Sequence, residues 1–119
     1  MNRLDFDHFP EELRARVPGF AQVYEEHIRD YDEVLPHVLL GELVRFLADE
    51  IRSHGQQSTA LCEAMELLER GMGSLDSRLQ ELIAVSFLEN LEPQDEAFAT
   101  ISSMFGPRLR EQYQRFQNG

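Results

Sequence analysis

The chain has 119 residues, of which 22 are acidic and 11 basic, giving a net charge of −11 with 42% hydrophobic content. This is the size and balance of one ordinary domain, taken as a single helical domain over residues 1–119. It excludes a disordered chain and, with Cys62 as the lone cysteine, a disulfide-stapled miniprotein. All the basic residues are arginine, so Schiff-base chemistry and a P-loop lysine are excluded as well.

The acidity is uneven. Residues 1–50 hold 12 acids and 5 arginines (−7), residues 51–100 hold 9 and 3 (−6), and residues 101–119 hold 1 and 3 (+2). An acidic body repels nucleic acid and anionic membrane and attracts basic protein surfaces; the plainer reading of the same charge is solubility. No apolar run approaches the ~20 residues of a membrane span. The stretch Met1-Asn2-Arg3-Leu4-Asp5-Phe6-Asp7 has no apolar leader core, so a cytoplasmic location is expected.

In chain order, Pro10 starts a short helical turn that runs to Val17, and Pro18 suits the first position of the next helix. That helix carries Phe20, Val23, Tyr24, His27, Ile28 and Tyr31 as a stripe at i, i+3, i+4 spacing with one polar member. Glu25 and Arg29 sit i, i+4 on its flank in the favoured order. The stripe breaks over Asp30–Glu33, and Pro36 reopens a helix with a wide apolar face from Val38 to Ile51. Gly41 inside it points to a close helix contact, and His54-Gly55 is a stop. Ser58 or Thr59 caps a helix whose Leu61, Ala64, Met65, Leu68 and Met72 face inward, with Glu66 and Arg70 paired outside and Gly71 and Gly73 ending it.

Ser74 or Ser77 starts the next helix, and Ser77-Arg78-Leu79-Gln80 matches a capping box. It opens a segment whose run Leu82–Leu88 is apolar nearly all round and reads as a central helix ended by Pro93. Phe98, Ile101, Met104 and Phe105 form a short helix. Gly106-Pro107 breaks the chain before a last amphipathic helix with Leu109, Tyr113 and Phe116. The fold class is therefore all-α, a compact bundle of about five to seven helices built from helix hairpins, with a short solenoid-like stack as the alternative.

Chemistry-bearing constellations are sparse. His8, His27, His37 and His54 show no metal-binding spacing, and there is no second cysteine to complete a zinc site. Cys62 has no basic neighbour and Ser86 no nucleophile elbow, so both read as core, Ser86 with its hydroxyl on a backbone carbonyl. The acidic doublets point about 100° apart on a helix and do not converge as acid and base. Neither catalytic residues nor metal or cofactor ligands are expected. One stretch departs from a solvated face: Glu26, Asp30, Asp32 and Glu33 gather negative charge at a helix C-terminus, where the macrodipole disfavours it. Tyr24 and Tyr31 flank it, and His37 and Glu42 follow on the next helix. These eight residues, Tyr24, Glu26, Asp30, Tyr31, Asp32, Glu33, His37 and Glu42, form the expected partner-binding edge, with a solvated turn as the equal alternative for the carboxylates and core packing as the plainer reading of the two tyrosines.

Three segments carry a resemblance: Tyr31–Leu43 with Leu35-Pro36-His37, Glu81–Leu91 with Val85-Ser86-Phe87-Leu88-Glu89-Asn90-Leu91, and Phe105–Arg110 with Gly106-Pro107-Arg108-Leu109-Arg110. Together they resemble a family of small uncharacterised bacterial proteins, all-helical, some of which resemble toxin immunity proteins. The resemblance implies no catalytic residue. It implies structural roles for Pro36, Ser86, Phe87 and Asn90, and leaves His37 open between a helical first turn and a partner contact. With the charge, it makes the expected function that of an immunity or antitoxin-like protein, not an enzyme. The expected partner is a cognate protein toxin with a basic surface, with no direct nucleic acid or membrane contact. A helical adaptor or regulator, homodimeric or not, is the alternative.

Overall fold

Helical periodicity accounts for every regular element. The computed structural model describes residues 4–118, and these form α1 (Phe9–Arg16), α2 (Phe20–Tyr31), α3 (Pro36–His54), α4 (Thr59–Met72), α5 (Ser77–Ser86), α6 (Glu96–Ser103) and α7 (Pro107–Asn118), with no strand among them. Residues 1–3, at the start of the Met1–Asp7 stretch in which no apolar leader core is expected, and residue 119 lie outside the described residues. Short 3-10 turns, Gly55–Gln57 and Leu88–Asn90, follow α3 and α5.

The architecture is a bundle. α3 packs against α2, α4, α5 and α6, while α4 packs against α1, α3, α5 and α7, so these two helices form its centre. Their apolar stripes explain the arrangement. Leu39, Leu40, Leu43 and Leu47 of α3 and Leu61, Ala64, Met65, Leu67 and Leu68 of α4 are all buried. Phe9, Phe20 and Phe87 fill the space between layers without exposure. Each such leucine, methionine or phenylalanine contributes about 1.5–3 kcal/mol by leaving water. The Leu82–Leu88 run is helical as expected, but α5 ends at Ser86, well before Pro93, and supports the two central helices instead of forming the centre.

Local chemistry corrects several other expectations. Pro18 does not start α2. Phe20 N–H donates to the Val17 carbonyl at 3.0 Å and Gly19 has φ +86°, so Pro18-Gly19 occupies the middle of a tight turn. Proline followed by a left-handed glycine favours that turn over a helix start. Ser77 is not a cap either. Asp76 takes that place, accepting the Arg78 N–H at 2.9 Å on one oxygen and the Phe6 N–H at 2.7 Å on the other. The carboxylate thus starts α5 and fastens the N-terminal segment to it. Gln80 donates its side-chain amide to the Ser74 carbonyl instead of closing a capping box. Of the two candidates before α4, Ser58 is the cap, accepting from Leu61 N–H while its hydroxyl donates to Glu50 of α3 at 2.8 Å.

Gly71 lies inside α4, and Gly73 ends the helix. The i, i+4 partners Glu25–Arg29 and Glu66–Arg70 form no ion pairs among the described residues. Cys62 is exposed, because it follows the inward Leu61 by 100° and shares the outer face with Glu66.

Candidate acidic binding edge

The end of α2 and the turn into α3 are positioned by one buried histidine. His27, the polar member of the apolar α2 stripe, is 1% exposed. Leu35 N–H donates to its Nε2 at 2.9 Å, so that nitrogen carries no proton, and Nδ1 donates to Glu42 Oε1 at 2.8 Å. This fixes the tautomer through the hydrogen bonds themselves. A single ring therefore holds three elements in register: α2 through its own backbone, the turn through Leu35 and α3 through Glu42. Glu42 is taken up by this contact and is only partly exposed.

The turn begins at Asp32, the non-glycine residue with positive φ (+62°) among those described, whose N–H donates to the Ile28 carbonyl at 2.7 Å. Asp32 is thus the left-handed C-cap of α2, a place usually taken by glycine or asparagine. Glu26, Asp30, Asp32 and Glu33 are all exposed, and none has an ion pair or side-chain hydrogen bond among the described residues. Arg29, between them in sequence, is likewise exposed and without an ion pair. Tyr31 is 43% exposed, and its ring centroid lies 4.9 Å from that of His27, so the latch supports it from below.

The structure therefore brings together Glu26, Asp30, Tyr31, Asp32 and Glu33 from the expected edge. Tyr24 is turned inward at 9% exposure, its hydroxyl donating to Glu11 Oε1 at 2.9 Å and the Arg14 guanidinium 5.5 Å from its ring centroid. Burial, together with the bond to Glu11, raises its phenol above the usual value of 10.0. His37 stands in the first turn of α3, exposed, with Nδ1 hydrogen-bonded to Ser86 Oγ at 2.5 Å. Ser86 thus meets a side chain of another helix, not a backbone carbonyl as expected from its place in an apolar run, because it is the last residue of α5, where α3 crosses.

The segments that carry the resemblance meet in this geometry. Asn90 donates its amide to the Ser86 carbonyl at 2.7 Å, and a Cβ built on Gly41 would sit 3.5 Å from the same amide nitrogen. The first two blocks are joined by the His37–Ser86 hydrogen bond, and Asn90 of the second lies near Gly41 of the first with room for a Cβ between them. In the third, the Glu69 carboxylate of α4 accepts Arg108 N–H at 2.9 Å and Leu109 N–H at 3.0 Å, so it starts α7 from outside the helix. Gly106 makes room for it, since a Cβ there would lie 2.4 Å from the carboxyl carbon.

Residues 10–119 match the model of a family described as a domain of unknown function, DUF7674. The chain belongs to the DUF7674 family. Neither curated proteins nor solved structures give a match. Among the described residues of this DUF7674 chain, no three His, Cys, Asp or Glu side chains gather as metal ligands, and no helix is long and apolar enough to cross a membrane.

Sequence reasoning missed the His27–Leu35–Glu42 latch and the Glu69 and Asp76 caps. For His27 the signal was present, as a single polar residue in an apolar stripe. Glu69 reaches α7 from about 40 residues away and no local pattern marks it, whereas Asp76 carries the ordinary signal of an aspartate just before a helix, and only its hold on Phe6 lies outside local sequence.

Proposed function

We propose that this protein is an immunity or antitoxin-like protein that neutralises a bacterial toxin by binding a basic surface through the α2–α3 edge. One observation carries the reading. Four exposed carboxylates without ion pairs, Glu26 and Asp30 on the last turns of α2 and Asp32 and Glu33 just past its end, accompany the half-exposed Tyr31 where α2 runs into a turn held in place by a buried histidine. Like charges at a helix C-terminus, one of them in a left-handed conformation, cost stability. A cationic partner surface recovers that cost as attraction, and the held turn lowers the entropy lost on docking. Tyr31 supplies the amphipathic anchor around which such interfaces concentrate their affinity.

The test is co-expression with any toxin encoded by a neighbouring gene. The wild-type chain is expected to restore growth and to form a stable complex whose association slows steeply as salt rises. The variant with Glu26→Gln, Asp30→Asn, Asp32→Asn and Glu33→Gln is expected to fold normally and bind at least about tenfold more weakly, one lost charged contact being worth about that factor. Undiminished binding by that variant rejects the edge. A toxin indifferent to the wild-type chain rejects the function, leaving the helical adaptor reading.

A further inference from the structure

On the side of α3 facing α6 lies an open groove of about 420 Å³ that the acidic edge does not involve. Its wall is formed by Val44, Ala48, Leu91, Phe98 and Ile101, of which Val44, Ala48 and Phe98 remain only partly covered. The volume falls in the lower range of small-ligand sites, roughly 300–1,000 Å³.

The charges along the groove divide into a satisfied set and an unsatisfied one. Arg52 is held by both oxygens of Asp95, at 2.9 and 3.0 Å, and by Asp49 at 3.3 Å. Asp95 in turn caps α6 through Ala97 N–H at 2.8 Å. These groups close on one another and leave nothing for a ligand to complete. Arg45 and Glu92 line the same groove, and neither has an ion pair or hydrogen bond among the described residues, including with the other. The Asn90 amide, also in the lining, uses one donor on the Ser86 carbonyl and keeps a second donor and an acceptor free.

A ligand that matches this lining needs an anionic end for Arg45, a cationic end for Glu92 and an apolar body for the wall. A simple anion would approach against the field of a chain of net charge −11, and a simple cation would leave Arg45 unmatched. A small zwitterion meets neither objection. We propose that this groove binds a free apolar α-amino acid, its carboxylate on Arg45 and Asn90, its ammonium on Glu92 and its side chain along Val44, Ala48 and Phe98.

The test is an amide NMR titration of the whole chain with L-leucine, beside leucinamide, which lacks the carboxylate, and 4-methylpentanoate, which lacks the ammonium. Leucine is expected to shift the amides of Gly41, Val44 and Ala97 saturably, with either analogue at least about tenfold weaker, the factor for one charged contact. Arg45→Ala, an exposed position, is expected to keep the fold and to erase the difference between leucine and leucinamide. Glu92→Gln is expected to erase that between leucine and 4-methylpentanoate. Absence of saturable shifts near the solubility limit of leucine overturns the proposal. So does equal binding of the singly charged analogues, or tighter binding of Leu-Leu than of leucine, which would place the two charges too far apart for one residue. The titration needs no toxin, so its outcome is independent of the acidic edge.

Discussion

At the level of single residues, Asp32 at the end of α2 and Asp76 at the start of α5 show stability given up and stability secured. Asp32 sits at φ +62° with an exposed side chain that makes no hydrogen bond or ion pair among the described residues. Replacing it with glycine removes both the left-handed strain and a negative charge from the helix C-terminus. Asp32→Gly is expected to raise stability in urea melts by up to about 1 kcal/mol, less the extra entropy of an unfolded glycine. A destabilised variant would mean that the aspartate side chain holds the turn. If the edge binds its partner, the same substitution should weaken the complex, the usual opposition between stability and function. Asp76 behaves in the other direction. Its hydrogen bond from Phe6 N–H, with further help from the Arg78 and Leu79 amides, holds its carboxyl below the ordinary value of 3.8. A lowered folded value means that this contribution is complete above pH 3.8 and is lost as pH falls through the folded value beneath it. Asp95 acts alike through Ala97 N–H and Arg52. Asp76→Asn is therefore expected to be less stable near pH 7 and to lose less than the wild type between pH 4 and pH 2, with acid titrations followed by circular dichroism. Parallel acid curves for the two proteins would show that this carboxylate does not differ between the folded and unfolded states.

At the level of elements, two glycines inside helices separate propensity from packing. A Cβ on Gly41 would meet only the Asn90 amide, at the ordinary contact distance of 3.5 Å, so the close helix contact expected there is absent. Gly41→Ala should stabilise α3 by about 0.5–1 kcal/mol, the usual gain in a helix interior. A Cβ on Gly71 would lie 2.6 Å from Cδ1 of the fully buried Ile83 and 3.4 Å from the Phe9 ring, where α4 meets α5 and α1. Gly71→Ala should therefore destabilise, by about 1–3 kcal/mol of overpacking less the helix gain. Thermal melts of the two variants are expected to move in opposite directions, and a common direction would refute the packing argument. The same contrast shows how far the fold was legible. Element identity followed from apolar spacing and from Pro36 and Pro107, because both signals are local. The end of α5 did not, because the residues past Ser86 remain apolar while the backbone tightens into a 3-10 turn. The role of Gly71 did not either, because an end-of-helix glycine and a packing glycine look alike until Ile83 is seen against it.

At the level of the whole molecule, the candidate site was legible as charge but not as geometry. The run from Glu26 to Glu33 is visible in sequence, whereas the latch that holds it depends on His27 meeting Leu35 and Glu42 across a turn. Tyr24, paired with Tyr31 in the sequence stripe, faces inward to Glu11. The total charge has a consequence of its own. The molecule measures 36 × 34 × 27 Å, and at 0.01 M salt the screening length is about 30 Å, so nearly every carboxylate feels every other. With 22 acids against 11 arginines, that mutual field opposes the compact state, whose charges lie closer together than those of the unfolded chain. Added salt also weakens the surface ion pairs, but exposed pairs such as Arg115–Glu111 contribute little to begin with. Relief of repulsion should therefore win. The melting temperature is expected to rise by several degrees between about 10 mM and 0.5 M sodium chloride, with most of the gain below about 0.15 M, where the screening length falls to about 8 Å. Chloride is the right salt, since sulfate would strengthen apolar burial by exclusion and confuse the two effects. A melting temperature that falls over this range would mean that the ion pairs outweigh the excess charge, and that the acidity of this chain is locally compensated.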